Sequence, residues 1–298
     1  MIEITPVYED FVAELTNLDV TQGLNSEQFD TVKKALDQYA VVILPNQPVN
    51  EAQQLDFASL FGPLETSVGA SIYNADSKRR LAQRELSDIS NLDDSDGILN
   101  QNDVRRMINL SNRLWHTDSS FKRTPSSVSM LAAQEVVPAG GATEFADMRA
   151  AWDALSPEKQ RQIQDLIAEH DYFHSRKLTG FDAMEVRPEW IERQPPVPQV
   201  LVRTHPKTGR KSLYLASHIS RIYGMSQEEG LALVKELMSH ATQPQFVYRH
   251  RWRPDDIVIW DNRYTMHRGT PFNEKYRRAM RRATVEDVGP TVETAPNI

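Results

Sequence analysis

Apolar residues recur at helical spacing after Asn25. Phe29, Val32, Ala35 and Leu36 fall on one side of a segment running to Gln38, and Ser26 can cap it. A short apolar run follows, Ala40-Val41-Val42-Ile43-Leu44, stopped by Pro45, and it reads as a buried strand. A second helix opens at Asn50 or Glu51 and runs to Phe61, where Gly62-Pro63 ends it. Further on, 128–137 reads as a strand, Pro138-Ala139-Gly140-Gly141 as a turn and 143–146 as a short strand. Residues 148–155 and 158–170 read as helices separated by Ser156-Pro157, and 180–200 as a Pro-rich irregular stretch. A turn at Pro206-Lys207-Thr208-Gly209 joins two strand-like runs, 201–204 and 212–215, into a hairpin. An amphipathic helix spans 227–240 with Leu231, Val234, Leu237 and Met238 on one side, and strands at 245–252, 256–260 and 279–285 finish the chain.

Between Thr66 and Leu110 the pattern changes. The segment is mostly polar, carries Asp93-Asp94-Ser95-Asp96-Gly97, and has one strand-like run at 86–90. Long irregular segments in compact domains are usually functional or disordered. This one leads directly into Trp115-His116-Thr117-Asp118, so we read 66–110 as an active-site lid inside a single domain spanning 1–298. Strands spread from end to end, with helices inserted, argue against alternating βα units and for a mainly β fold.

The pair His116 and Asp118 carries the first chemical signal. Two residues apart on an extended segment, both side chains point to one side. Alone the pair says little, because a solvated turn or a histidine held by a neighbouring acid would look the same. A third ligand is offered by His267, which follows the apolar run Ile257-Val258-Ile259-Trp260 and a turn. Two histidines and a carboxylate form the facial triad of non-haem Fe(II) oxygenases. Eleven residues past His267 stands Arg278, four further stands Arg282, and Thr143 lies 25 residues past Asp118.

At those spacings the chain resembles the Fe(II)/2-oxoglutarate-dependent dioxygenases of the taurine dioxygenase group, and most of all the 2,4-dichlorophenoxyacetate dioxygenase type. The resemblance covers nearly the whole chain. It is carried by Leu-Trp-His-Thr-Asp-Ser-Ser-Phe at 114–121, Gly-Gly-Ala-Thr-Glu-Phe-Ala-Asp-Met-Arg-Ala-Ala at 140–151, Leu-Val-Arg-Thr-His at 201–205, Val-Tyr-Arg-His-Arg-Trp at 247–252, Trp-Asp-Asn-Arg at 260–263 and the arginine block 277–282. It implies a double-stranded β-helix (jelly-roll) core with the metal near one mouth. It also implies His116, Asp118 and His267 as Fe(II) ligands, and 2-oxoglutarate and O₂ as cosubstrates. Arg278 matches the arginine for the far carboxylate of 2-oxoglutarate and Thr143 its hydroxyl donor. Arg282 matches a position that holds the acidic head of the substrate or helps hold the cosubstrate. His205 and His218 match histidines of the same enzymes, one of which lies near substrate.

In the herbicide-degrading relatives a basic residue stands in the lid near the substrate. The corresponding stretch here, 67–73, is neutral, and Ile72 and Tyr73 within it are candidate substrate contacts. The expected reaction is hydroxylation of an unactivated C–H bond with release of succinate and CO₂. The expected substrate is a small carboxylate such as an aryloxyalkanoate, and a bulkier terpenoid-like product or a sulfonate are the alternatives. A non-catalytic jelly-roll binding protein and a zinc hydrolase are the readings from other classes. An intact triad with Arg278 speaks against the first, and the second offers no reason for Arg278 and Thr143 at those spacings.

Composition narrows the rest. Net charge is -7, so a basic nucleic-acid footprint is absent. With no cysteine, disulfides and thiolate metal sites are excluded. No stretch approaches the length of an apolar membrane span and the N-terminus is unlike a signal peptide, so a cytoplasmic protein is expected. A homo-oligomer such as a dimer is left open.

Overall fold

The computed structural model describes residues 1–73, 79–182, 188–294 and 296, apart from the side chains of Ile72 and Tyr73. One sheet dominates. Its order runs β1 (Glu3–Tyr8), β2 (Val12–Thr16), β3 (Val41–Leu44), β13 (Ile257–Asp261), β5 (Ser126–Glu135), β15 (Ala279–Glu286) and β4 (Leu86–Asp88). Only β2 and β3 pair in parallel; the other neighbours are antiparallel. A three-stranded sheet holds β6 (Thr143–Asp147) between β12 (Val247–His250) and β14 (Thr265–Gly269), all antiparallel.

These two sheets face each other. Leu131 and Ala133 of β5, Val258 and Trp260 of β13 and Met280 of β15 pack against Phe145 of β6 in one buried cluster. Along β15 the even positions therefore point between the sheets. Ala283 and Val285, at odd positions, point to the opposite face. There they meet α1 (Ser26–Tyr39) and α2 (Glu51–Ser59), which bury Val32, Leu36, Phe57 and Ala58 against it. Both helices open with a capping box, built on Asn25 and Gln28 and on Asn50 and Gln53. The cap of α1 is thus Asn25 rather than Ser26, because an asparagine carbonyl one residue earlier reaches the same amide.

The remaining elements fall between residues 148 and 241. They are α4 (Met148–Asp153), α5 (Pro157–Ile163), β7 (Ile167–His170), α6 (Tyr172–Lys177), α7 (Pro188–Arg193), β8 (Val197–Val200), β9 (Val202–Thr204), β10 (Lys211–Leu213), β11 (Ile219–Ile222) and α8 (Gln227–Ala241). The hairpin expected at 201–215 is β9–β10. The helix expected over 158–170 stops at Ile163, since 167–170 is pulled into strand pairing with β8 and β11. The stretch read as irregular, 180–200, contains α7 and β8. In the segment 66–110, β4 pairs with β15, and α3 (Val104–Leu110) runs up towards His116 and Asp118.

Candidate active site

His116 does not lie on a regular strand. It forms an isolated bridge with His267, and Asp118 sits in the turn that follows. The extended geometry assumed from the His-x-Asp spacing is thus local, set by the edge of β14. The outcome is the same convergence: ligand atoms of His116, Asp118 and His267 all lie within 4.8 Å of one another, and all three residues are buried. His116 Nε2 is 3.7 Å from one Asp118 oxygen and His267 Nε2 is 3.8 Å from the other.

The donor set suits a divalent metal. His116 Nδ1 meets the Leu114 carbonyl at 2.8 Å, which fixes the tautomer with the proton there and leaves the Nε2 lone pair free. Burial pushes both histidines below their ordinary pKa, His267 well below, so both are neutral ligands near pH 7. Burial alone would raise Asp118, but the charge of Arg282, with the two imidazoles beside it and the Ser129 hydrogen bond, outweighs it and holds the carboxyl below its usual range.

Asp118 is oriented by a relay of hydrogen bonds. Ser129 Oγ donates to it at 2.8 Å, Asn262 Nδ2 donates to Ser129 Oγ at 2.9 Å, and Trp260 Nε1 donates to Asn262 Oδ1 at 2.9 Å. This gives the Trp-Asp-Asn-Arg motif a physical role: it braces the carboxylate ligand from the adjacent strand. Its Asp261 does something else, accepting from Arg263 at 2.6 Å while buried beside His205. On the other side of Asp118, Arg282 Nη1 donates to the second oxygen.

Two cavities meet at His116. The smaller, about 100 Å³, contains Arg278 and Thr143, with Arg282 at its boundary. Arg278 is buried and has no carboxylate partner among the described residues. Its Nη2 reaches only the Gly141 carbonyl, at 3.3 Å, and burial lowers its pKa to about 10, helped by the charge of Arg113. Thr143 Oγ1 accepts from Trp252 Nε1 at 3.0 Å, leaving its own proton to give. The Gly140-Gly141 turn makes room for this. Both residues have positive φ, and a Cβ on Gly141 would stand 3.3 Å from Arg278 Nε and 2.9 Å from Val137.

The larger cavity, about 500 Å³, opens from His116, Asp118 and Arg282 towards the 66–110 segment. Phe121, Tyr172 and Trp190 give it an aromatic wall, and Val68 and Ile108 extend the apolar surface. His218 also lines it, with its ring 6.1 Å from that of His116. His205 does not line either cavity. It is buried against Tyr264, 4.7 Å between rings, and beside Asp261, so the structure sets it in the core rather than at the substrate. Ile72 and Tyr73 have side chains outside the described residues. Sequence reading missed Arg176, Phe121, Tyr172 and Trp190. Tyr172 and Arg176 share one turn of α6, while Phe121 and Trp190 come from other segments, and only the fold assembles the four.

Relatives of known activity share this whole frame. The α-ketoglutarate-dependent 2,4-dichlorophenoxyacetate dioxygenase of Cupriavidus pinatubonensis is 42% identical over 284 residues, covering 95% of this chain and 96% of that enzyme. The (S)-phenoxypropionate/α-ketoglutarate dioxygenase of Sphingobium herbicidovorans is 32% identical over 299 residues, covering 98% of this chain and 97% of that enzyme. The crystal structure of AAD-2 with Mn(II) and N-oxalylglycine superimposes with a TM-score of 0.94 at 43% identity, covering 98% of this chain and all of that one (100%). Residues 3–284 match the family described as taurine catabolism dioxygenase TauD, TfdA family. The chain belongs to that family and is an Fe(II)- and 2-oxoglutarate-dependent dioxygenase.

Proposed function

We propose that the substrate is a small aryloxyalkanoic acid, oxidised at the carbon between its ether oxygen and its carboxylate. The observation that carries this is the larger cavity: an aromatic wall of Phe121, Tyr172 and Trp190 and a surplus of arginine over aspartate, meeting the triad at His116. An aryl ring fits the wall and an acid fits the surplus. The relatives named for 2,4-dichlorophenoxyacetate and phenoxypropionate support the same class.

His116, Asp118 and His267 would hold Fe(II). Arg278 would take the far carboxylate of 2-oxoglutarate, with the Thr143 hydroxyl beside it. Arg282, between the two cavities, would serve an acidic ligand on either side. Bound together, Fe(II) and 2-oxoglutarate would supply O₂ activation, with one oxygen atom entering the substrate C–H bond, the other appearing in succinate, and CO₂ released. The chain's own residues bind and orient. A hydroxyl placed on the ether carbon leaves a hemiacetal, which collapses to a phenol and an oxo acid.

We read the two facing sheets as a double-stranded β-helix and the whole of 1–298 as one domain, with 66–110 as its lid. The pairing of β4 with the strand that carries Arg282 supports the lid assignment, because it ties that segment to the cavity wall. The test is succinate release with a panel of aryloxyalkanoates, alkyl sulfonates and terpenoid acids. Fastest turnover of an aryloxyalkanoate is expected. Turnover confined to a sulfonate or a terpenoid acid would overturn the reading.

A further inference from the structure

Five arginines and four aspartates line the larger cavity. Three of the arginines take up all four acids. Arg80 pairs with Asp88 at 2.6 Å, Arg105 with Asp94 and Asp103 at 2.7 and 2.9 Å, and Arg282 with Asp118. Arg79 and Arg176 remain without a carboxylate among the described residues. Arg79 directs its Nη atoms at the carbonyls of Gln83 and Leu86 and at Ser67 Oγ, at 3.3, 3.0 and 3.4 Å, so its donors are largely engaged.

Arg176 differs. It is 7% exposed, and its guanidinium lies over the Tyr172 ring, 3.5 Å from the centroid. Its Nη1 donates to Ser175 Oγ at 2.7 Å, lies 3.4 Å from the Tyr172 carbonyl and approaches His218 Nδ1 at 3.5 Å. Its Nε is buried without a partner, and no described residue takes a hydrogen bond from Nη2. The Nε–Nη2 edge of a guanidinium is one of its two-pronged faces for a carboxylate. Stacking on Tyr172 and the Ser175 bond hold the plane in place and leave that edge without a partner among the described residues. The site is also close to the chemistry: His218 stands between Arg176 and His116, and the Arg176 charge acts on His116.

We propose that Arg176 is a specificity-determining residue of this dioxygenase: its free Nε–Nη2 edge, on the Tyr172 face of the larger cavity, receives the carboxylate of the substrate. The proposal rests on the reading of the substrate as an aryloxyalkanoic acid. It assigns the acidic head to an arginine that no aspartate already holds. Arg282 already donates to Asp118.

The test compares 2,4-dichlorophenoxyacetate with its neutral amide, using full-length wild type, Arg176→Gln and Arg176→Lys. Binding is read by calorimetry with Mn(II) and 2-oxoglutarate under anaerobic conditions, and KM and kcat with Fe(II). Arg176→Gln is expected to weaken the acid by at least about tenfold, mostly in KM, while the amide changes by less than about twofold. Arg176→Lys keeps the charge without the fork and should recover part of the loss. Its ratio of acid to amide also carries the test where the glutamine variant folds poorly. Binding of 2-oxoglutarate should be unchanged in both variants. Equal losses for acid and amide would reduce Arg176 to a prop for Tyr172 and His218 and overturn the proposal. A wild type preferring the acid, with Arg176→Gln keeping that preference, overturns this proposal alone. A wild type that takes amide and acid equally overturns the acidic-substrate reading with it.

Discussion

The main chains of His116 and His267 hold each other directly: each amide donates to the other's carbonyl, at 3.0 and 2.8 Å. Their rings stand 4.3 Å apart between centroids. Two candidate metal ligands far apart in the chain are therefore fixed to each other by backbone, so replacing either side chain should leave the frame intact. Alanine at His116 or His267 should abolish turnover and greatly weaken Mn(II) or Fe(II) binding, with the thermal transition little changed. A His116→Ala/His267→Ala double variant that still turned over would refute the triad.

The relay behind Asp118 predicts a subtler loss. Ser129→Ala removes the donor to the carboxylate and leaves Asn262 Nδ2 without its acceptor. Partners of this kind are worth roughly 10- to 100-fold in metal affinity. A metal titration of Ser129→Ala should show a loss in that range, and wild-type affinity would mean that the relay does not orient Asp118.

The arginine of the smaller cavity predicts a cosubstrate effect. Arg278→Ala should raise the apparent KM for 2-oxoglutarate by an amount corresponding to about 2–5 kcal/mol, with the lysine variant recovering only part. Gly141→Ala should act in the same direction more weakly, because its methyl group would press on Arg278 Nε. An unchanged KM in Arg278→Ala would move the role to Arg282.

Acid stability should track His170. This histidine is fully buried, bonded through Nδ1 to Ser120 Oγ at 2.9 Å, and burial lowers its pKa to about 3. Its folded pKa is depressed, so its contribution is intact above the ordinary value near 6.5. That contribution is lost progressively as pH falls towards 3, because only the unfolded chain takes the proton readily. Asp261, held well below the carboxylate range by Arg263 and His205 against the opposing effect of burial, adds a second loss starting below about pH 4. Denaturant melts of wild type between pH 7 and 4 should therefore lose stability on the order of a few kcal/mol. His170→Gln should flatten the upper part of that slope, and an unchanged slope would exclude His170 as its source.

The lid reading predicts protection on binding. Arg106 of α3 and the nearby Arg113 both bond Glu274, at 2.5 and 2.6 Å, joining α3 and the residues after it to the loop that leads to Arg278. Hydrogen exchange over 79–113 should slow when Mn(II), 2-oxoglutarate and substrate are added. Glu274→Gln should raise the basal exchange of 104–113. Exchange indifferent to ligands would remove the lid.

Much of this was readable before any coordinates. Long periodic helices such as 26–39 and 227–241, and apolar strands such as Val41–Leu44 and Ile257–Asp261, follow from periodicity alone. The convergence of His116, Asp118 and His267, with Arg278 beside them, was legible because a facial triad demands fixed residue types in a fixed order. What was not readable depends on partners brought from elsewhere. The edge strand β1, the short β7 that replaces the end of an expected helix, and the aromatic wall acquire their roles through contacts between distant segments. His205 shows the converse. Its motif drew attention to it, while its contacts put it in the core.

Arg282 is a positive partner of the Asp118 carboxylate and faces both cavities, and a divalent metal at the triad would be a second such partner. Thermodynamic reciprocity then follows. Any anion that draws Arg282 away from Asp118 frees that oxygen for the metal and tightens metal binding, and the metal tightens the anion by the same factor. The ion and the organic acids would load as one coupled set, with a single side chain carrying the account between them.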